Sequence, residues 1–218
     1  MTINIDSELK EKLHALVLGG IIVEVNVTES DELQKVLAGE IEKLEKYHTA
    51  ESIRELPTVK ANKNAYRTLG KDPNRYRVAA EALLRRVANG KGLYHINNVV
   101  DILNLISVKT GYSICGYDYD TIVGDVVMGI GRQEEPYQGI GRGDVNIERL
   151  PVFRDQQGAF GNPTSDSMRT MVTGNTKRFL MLIIGFDGQE PLNSALSEAV
   201  RLLQLYAQGN ELERFFVQ

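Results

Sequence analysis

The 218-residue sequence predicts an α+β fold of mixed β-sheets with flanking helices, and three observations predict it. Residues up to Gly111 are dominated by apolar spacing of helical period. After residue 112 the texture changes to short apolar runs of strand length. No linker, long charge block or low-complexity tract separates the two, so residues 1–218 are expected to form one α+β domain.

Leu9, Leu13, Leu16 and Val17 have the spacing of a short amphipathic helix, and after Gly19 and Gly20 the run IIVEVNV sets Val23, Val25 and Val27 on one side of a strand. Ser30 reads as the N-cap of a helix on which Leu33, Val36, Leu37, Ile41 and Leu44 recur. Residues 1–50 are therefore expected to be helix, strand, helix. Pro57 opens a further helix that Gly70 closes, with Lys60, Lys63 and Arg67 along one face. In GKDPNRYRVAAEALLRRVANGKG, Asp72 reads as an N-cap, Pro73 as the first helical residue and Gly90 as the stop. That predicts a helix over 73–89 burying Tyr76, Ala80, Leu83 and Val87, with Arg75 and Arg86 in line three turns apart.

The stretch NVVDILNLISVKTGYSICGYDYD, residues 98–120, predicts a helix closed by Gly111 and a strand beginning near Ile114. Further strands are expected at DVVMGI, near Val152 and at RFLMLIIGF, with a turn around Glu134, Glu135 and Pro136. GIGR occurs at 129–132 and 139–142. A phosphate loop needs its glycines to open a helix, and no helix follows either copy, so both read as hairpin arms. Pro191 starts a last helix, 191–208, that turns Leu196, Val200, Leu203 and Tyr206 inward.

Hydrophobic content of 42% and charged content of 25% are those of a globular chain. The longest apolar run, FLMLIIGF, is too short to span a bilayer, and the first twenty residues lack the order of a signal peptide, so a cytoplasmic protein with no membrane partner is expected. One cysteine builds neither an internal disulfide nor a thiolate zinc site. With no HExxH, paired CxxC or Asp-rich loop, neither a metal nor a cofactor is expected. The net charge is -4, yet residues 54–91 hold ten Lys/Arg against three Asp/Glu. A basic segment of that kind attracts phosphate; a solvated helical face is the plainer alternative.

On the 98–110 helix, Asn97, Asp101, Asn104 and Ser107 fall within a sector of roughly 80 to 120°, and apolar residues cover the rest. A buried polar group without a partner costs about 1–3 kcal/mol. The stripe must therefore meet backbone, water or a ligand, either holding an adjoining loop or forming a pocket wall. If the next strand packs beside this helix, Cys115 falls near the Asn104 end, as a small buried hydrophobe or as a nucleophile with His95 the nearest base. His14 and His48 read as surface or packing residues. The polar run NPTSDSMRTMVTGNTK, 162–177, has the length of a binding loop, and Ser165, Asp166, Ser167, Arg169, Thr170 and Thr173 either meet a ligand or cap one another.

Taken together, GKDPNRYRVAAEALLRR, then HINNVVDILNLISVKTGYSICGYDYDTIVGD, then the SDS to NTKRFLMLI ending resemble the tRNA-editing module of the bacterial phenylalanyl-tRNA synthetase beta chain, in its free-standing form. The resemblance covers about residues 55–187. It implies the same α+β class and a pocket that, in the synthetase, hydrolyses tyrosine wrongly attached to the phenylalanine tRNA. That pocket uses an asparagine on this helix, a histidine eleven residues later and a glutamate on a later strand. Asn104 stands at the asparagine's place, Cys115 at the histidine's and Leu182 at the glutamate's, while the family's glycine-rich turn maps onto Gly161. A thiol and an alkyl group thus replace an imidazole and a carboxylate.

The resemblance implies a module that binds tRNA or aminoacyl-tRNA, with deacylation in trans as a further activity and no complete ligase. Asn104 and Cys115 are its candidate catalytic residues. Asp101, Ser107, Gly161, Ser165 and Asp166 are candidates for the substrate wall, and Lys63, Arg75, Arg77, Arg85 and Arg86 for phosphate contacts. The alternatives are a non-catalytic binder of an amino acid or similar small molecule, and a structural interaction protein.

Overall fold

The computed structural model describes residues 1–188 and 190–218. Strand β1 (Ile3–Ile5) leads into α1 (Ser7–Lys12), β2 (Val17–Glu24), α2 (Asp31–Tyr47), α3 (Ala50–Glu55), α4 (Pro57–Thr68), α5 (Ala79–Ala88) and α6 (Asn98–Thr110). There follow β3 (Ser113–Asp118), β4 (Val126–Ile130), β5 (Gln138–Gly139), β6 (Gly143–Asp144), β7 (Pro151–Asp155), β8 (Gly158–Gly161), β9 (Arg178–Gly185), α7 (Glu190–Ala207) and β10 (Asn210–Val217). One antiparallel sheet runs β10-β2-β9-β3. A second runs β1-β4-β7-β8, with β1 parallel to β4 and the other pairs antiparallel, and β5 and β6 form a separate hairpin. The architecture is α+β with mixed sheets and flanking helices. No helix among the described residues is long and apolar enough to cross a membrane.

RFLMLIIGF reads as a continuous apolar run because β9 is central and covered on both faces. Phe179, Met181 and Ile183 face the helices, meeting Leu33, Leu37, Val87, Ile102, Ile106 and Leu196. Leu180, Leu182 and Ile184 face the second sheet, meeting Cys115, Tyr117, Met128, Phe153 and Phe160. Each such side chain, fully buried, contributes about 1.5–3 kcal/mol, so the two-faced strand ties both layers together.

Ser30 caps α2 by accepting from Leu33 N, Pro57 opens α4, and Gly70 and Gly111 follow their helices with φ of 78° and 75°. Other elements depart from the expectation. The first helix ends at Lys12, so Leu16 and Val17 lie beyond it, and Val17 begins β2. Gly19 and Gly20 lie inside that strand rather than before it, and β1, α3 and β10 were not foreseen. The helix expected over 73–89 begins only at Ala79. Asp72 spends its carboxylate on Asn74 N within a separate turn, and the true N-terminus is tied by Ala79 N to the Pro163 carbonyl. Arg75 therefore lies in the turn, not in line with Arg86. The two GIGR copies also part company: the first closes β4, whereas the second spans β5 and the turn toward β6.

Candidate functional site

Three members of the α6 stripe are consumed by the fold. Asn97 caps the helix by accepting from Val100 N at 2.9 Å. Asp101 accepts from Ile96 N at 2.9 Å and from Gln34 Nε2 at 2.7 Å, fixing the segment before α6 and a neighbouring helix. Ser107 donates to the Tyr112 carbonyl at 2.8 Å and so closes the turn into β3. Asn98, which periodicity did not single out, accepts from Thr28 N and donates to the Asn26 and Tyr206 carbonyls. Asn104 differs: its carboxamide makes no hydrogen bond among the described residues and opens onto a cavity of about 490 Å³. Ala79, Leu83, Arg85, Arg86, Lys91, Tyr94, Arg142 and Thr164 are among the other lining residues.

The predicted cations divide into three groups. Glu81, 1% exposed, gathers Lys63 Nζ at 3.1 Å, Arg85 Nε at 2.9 Å and Arg77 Nε at 3.8 Å on one carboxylate oxygen. A buried carboxylate survives there because several cations surround it. Arg75 stands apart, exposed, with its guanidinium 5.6 Å from the Tyr76 ring centre. Arg86 faces the cavity without a carboxylate partner, as do Lys91 and Arg142, among the described residues. Arg142 was invisible to a reading by segment, since it arrives from the β5–β6 turn far along the chain.

Cys115 lies elsewhere. A Cβ on Gly116 would meet Leu103 of α6, so Gly116 faces the helix and Cys115, one residue earlier, faces the second sheet. Its Cα partner across the sheet is Leu182, and both side chains sit in the core between the sheets. Cys115 and Leu182, which the sequence resemblance set at two pocket positions, are thus direct neighbours on β3 and β9. The hollow expected to be shared by Asn104 and Cys115 does not form, because strand alternation sends the thiol to the opposite face. His95 is exposed on the α6 side, 3.8 Å from Asp101, and cannot serve Cys115.

Around Cys115 the 162–177 loop builds a polar cluster that includes three of the predicted substrate residues. Tyr117 donates to Asp166 Oδ1 at 2.8 Å, Tyr137 donates to the Ser165 carbonyl at 2.5 Å, and Asn162 Oδ1 accepts from Thr164 N and Ser165 N. Gly161 is required: a Cβ there would coincide with the Tyr117 hydroxyl. Although Asp166 as a residue is half-buried, its carboxyl is turned inward. Burial raises its pKa to about 7, against hydrogen bonds from Tyr117, Cys115 and Gly116 that favour the anion. Burial and the neighbouring Asp166 push the Cys115 thiol well above its ordinary range, which disfavours a resting thiolate. The two regions touch at Thr164, whose hydroxyl pairs with Tyr66 while the residue lines the Asn104 cavity.

A family model described as B3/4 domain matches residues 61–207. The chain belongs to the B3/4 domain family. Its match begins within α4, ends with α7 and contains all of the cavity and the Tyr117 cluster. No curated protein matches the sequence. Among solved structures the B3/4 chain is similar to an N-terminal fragment of the phenylalanyl-tRNA synthetase beta-subunit from Pyrococcus horikoshii, with a TM-score of 0.51 at 17% identity. The alignment covers 99% of this chain and 50% of that one, so the chain spans about half the fragment's length. At that identity the likeness is one of fold. Family and fold agree with the synthetase-like module to which the sequence motifs point.

Proposed function

We propose that the chain is an RNA-binding, phenylalanyl-tRNA synthetase-like module that takes tRNA or aminoacyl-tRNA at the cavity between α5, α6 and the 162–177 loop. One observation carries the reading: the free Asn104 carboxamide shares that cavity with Arg86, Lys91 and Arg142, none of them ion-paired among the described residues. Cations already neutralised by carboxylates contribute little to phosphate binding, whereas free ones release counterions when they meet RNA. Filter binding with charged and uncharged tRNA at rising salt tests this. Affinity should fall log-linearly, with a slope of roughly -0.7 per phosphate neutralised on a single strand. No binding at low salt removes the reading.

Among the cavity's lining residues there is no carboxylate or imidazole, and the only thiol of the chain is behind the strand. Binding is therefore placed ahead of catalysis. Any deacylation in trans would use water held at Asn104, so activity should be lost in Asn104→Ala and kept in Cys115→Ala.

A second reading, a binder of a free amino acid, is favoured by the recess beyond Ile96. This recess, about 320 Å³, carries Glu29 and Asp31 and shares Ile96 with the cationic cavity. Opposite charges side by side suit a zwitterion. A thermal-shift screen of amino acids and their esters separates the readings, since a ligand that binds the native state raises the midpoint.

A further inference from the structure

The cations in and beside the cavity are held by different means. Lys63, Arg77 and Arg85 converge on Glu81, but Arg86 is held by an aromatic ring. Its guanidinium carbon lies 3.9 Å from the centre of the Tyr94 ring, and Nη1 donates to the phenol oxygen at 3.3 Å. Arg86 Nε is buried and has no hydrogen-bond partner among the described residues, so the ring is what orients the group. Tyr94 is nevertheless 56% exposed, and Ile96, two residues on, is 59% exposed. Two large apolar side chains thus stand in water at the mouth of a cationic cavity, on a segment without regular secondary structure between α5 and α6.

An aromatic ring carrying a guanidinium is a flat, polarisable and positively charged surface. The face of a nucleobase matches it, because stacking uses the π-faces and the guanidinium adds a cation–π attraction. A base inside a duplex has both faces covered by its neighbours and cannot use such a surface. Resting on the RNA-binding reading above, we propose that the Tyr94–Arg86 pair is a stacking platform for an unpaired nucleobase. The cavity consequently takes single-stranded rather than duplex RNA, with Lys91 and Arg142 meeting the flanking phosphates.

The test is fluorescence anisotropy of the full chain with a labelled short single-stranded RNA, the same strand annealed to its complement, and a tRNA. Tyr94→Ala, Tyr94→Phe and Lys91→Ala are compared with the parent over a salt series, after thermal melts have shown that each is folded. In Tyr94→Ala, single-strand affinity should drop roughly 5- to 150-fold at every salt concentration with the slope unchanged. Tyr94→Phe, which keeps the ring, should stay within about threefold, and Lys91→Ala should flatten the slope. Duplex binding should be weak and indifferent to Tyr94. Single-strand affinity unaffected by Tyr94→Ala, or a duplex bound as tightly as the single strand, overturns the platform while leaving tRNA binding standing. No binding of any of the three RNAs at low salt overturns the platform together with the reading on which it rests.

Discussion

The Asn104 cavity and the Tyr117 cluster lie back to back across Thr164, and they handle polar groups in opposite ways. In the cluster the phenols are spent internally: Tyr66 on Thr164, Tyr117 on Asp166 and Tyr137 on the Ser165 carbonyl. In the cavity the Asn104 amide makes no hydrogen bond, and Arg86, Lys91 and Arg142 have no carboxylate partner, among the described residues. The same contrast runs along α6, where Asp101 and Ser107 are committed and Asn104 has no partner among the described residues. Polar residues in a helix stripe are thus sorted by what packs against each one, and only the unsatisfied one is left for a guest.

The largest expected effect falls on the cluster. Gly161→Ala places a methyl group on the Tyr117 hydroxyl, so the phenol must leave Asp166 or the strand must shift. A loss of about 3 kcal/mol is expected in urea unfolding. A loss below about 1 kcal/mol would show that the cluster can rearrange freely.

Next comes a dependence on pH, carried by Asp166. The folded-state pKa of Asp166, about 7, lies above the ordinary 3.8. Between those values the folded chain holds a proton that the unfolded chain has lost, so this group's contribution to stability falls as pH rises through the window and is level above it. Subtracting the profile of Asp166→Asn from that of the parent should leave this decline. A flat difference between pH 4 and 7 contradicts the inward-turned carboxyl.

Within α6, Asp101→Ala strips partners from Ile96 N and Gln34 Nε2 and should cost about 1–3 kcal/mol. Asn104→Ala should change stability by less than about 0.5 kcal/mol. RNA affinity should rank the other way, weakening in Asn104→Ala far more than stability does. Equal losses of stability would erase the distinction along the helix.

The smallest effect is expected at the thiol. Because Cys115 is buried and its thiolate disfavoured, alkylation in native buffer should be slow and should speed up sharply in denaturant. Rapid native labelling would mean that the face behind β3 opens to solvent.

Some of this was legible because the signals are local. Gly111 closes α6, Ser30 caps α2 and Pro57 opens α4, each by a cap or φ requirement that needs no distant partner. The start of α5 misled because Asp72-Pro73 satisfies the same local rule, yet the chain makes a separate turn there and anchors the helix on Pro163. The placement of Cys115 misled because a period of two does not say which face meets the helix. The pairing of β3 with β9 and the close approach of Gly116 to Leu103 decide that.

By itself the sequence determined the α+β class, most helix boundaries, the basic 54–91 segment and the family motifs, since caps, periodicity and composition act over a few residues. Only the tertiary structure decided that Lys63, Arg77 and Arg85 are tied to Glu81, that Arg142 joins Arg86 and Lys91, and that Asn104 and Cys115 face apart. Whether a charge or an amide remains available depends on which distant groups packing brings beside it, and hydrogen bonding and ion pairing consume whatever they reach.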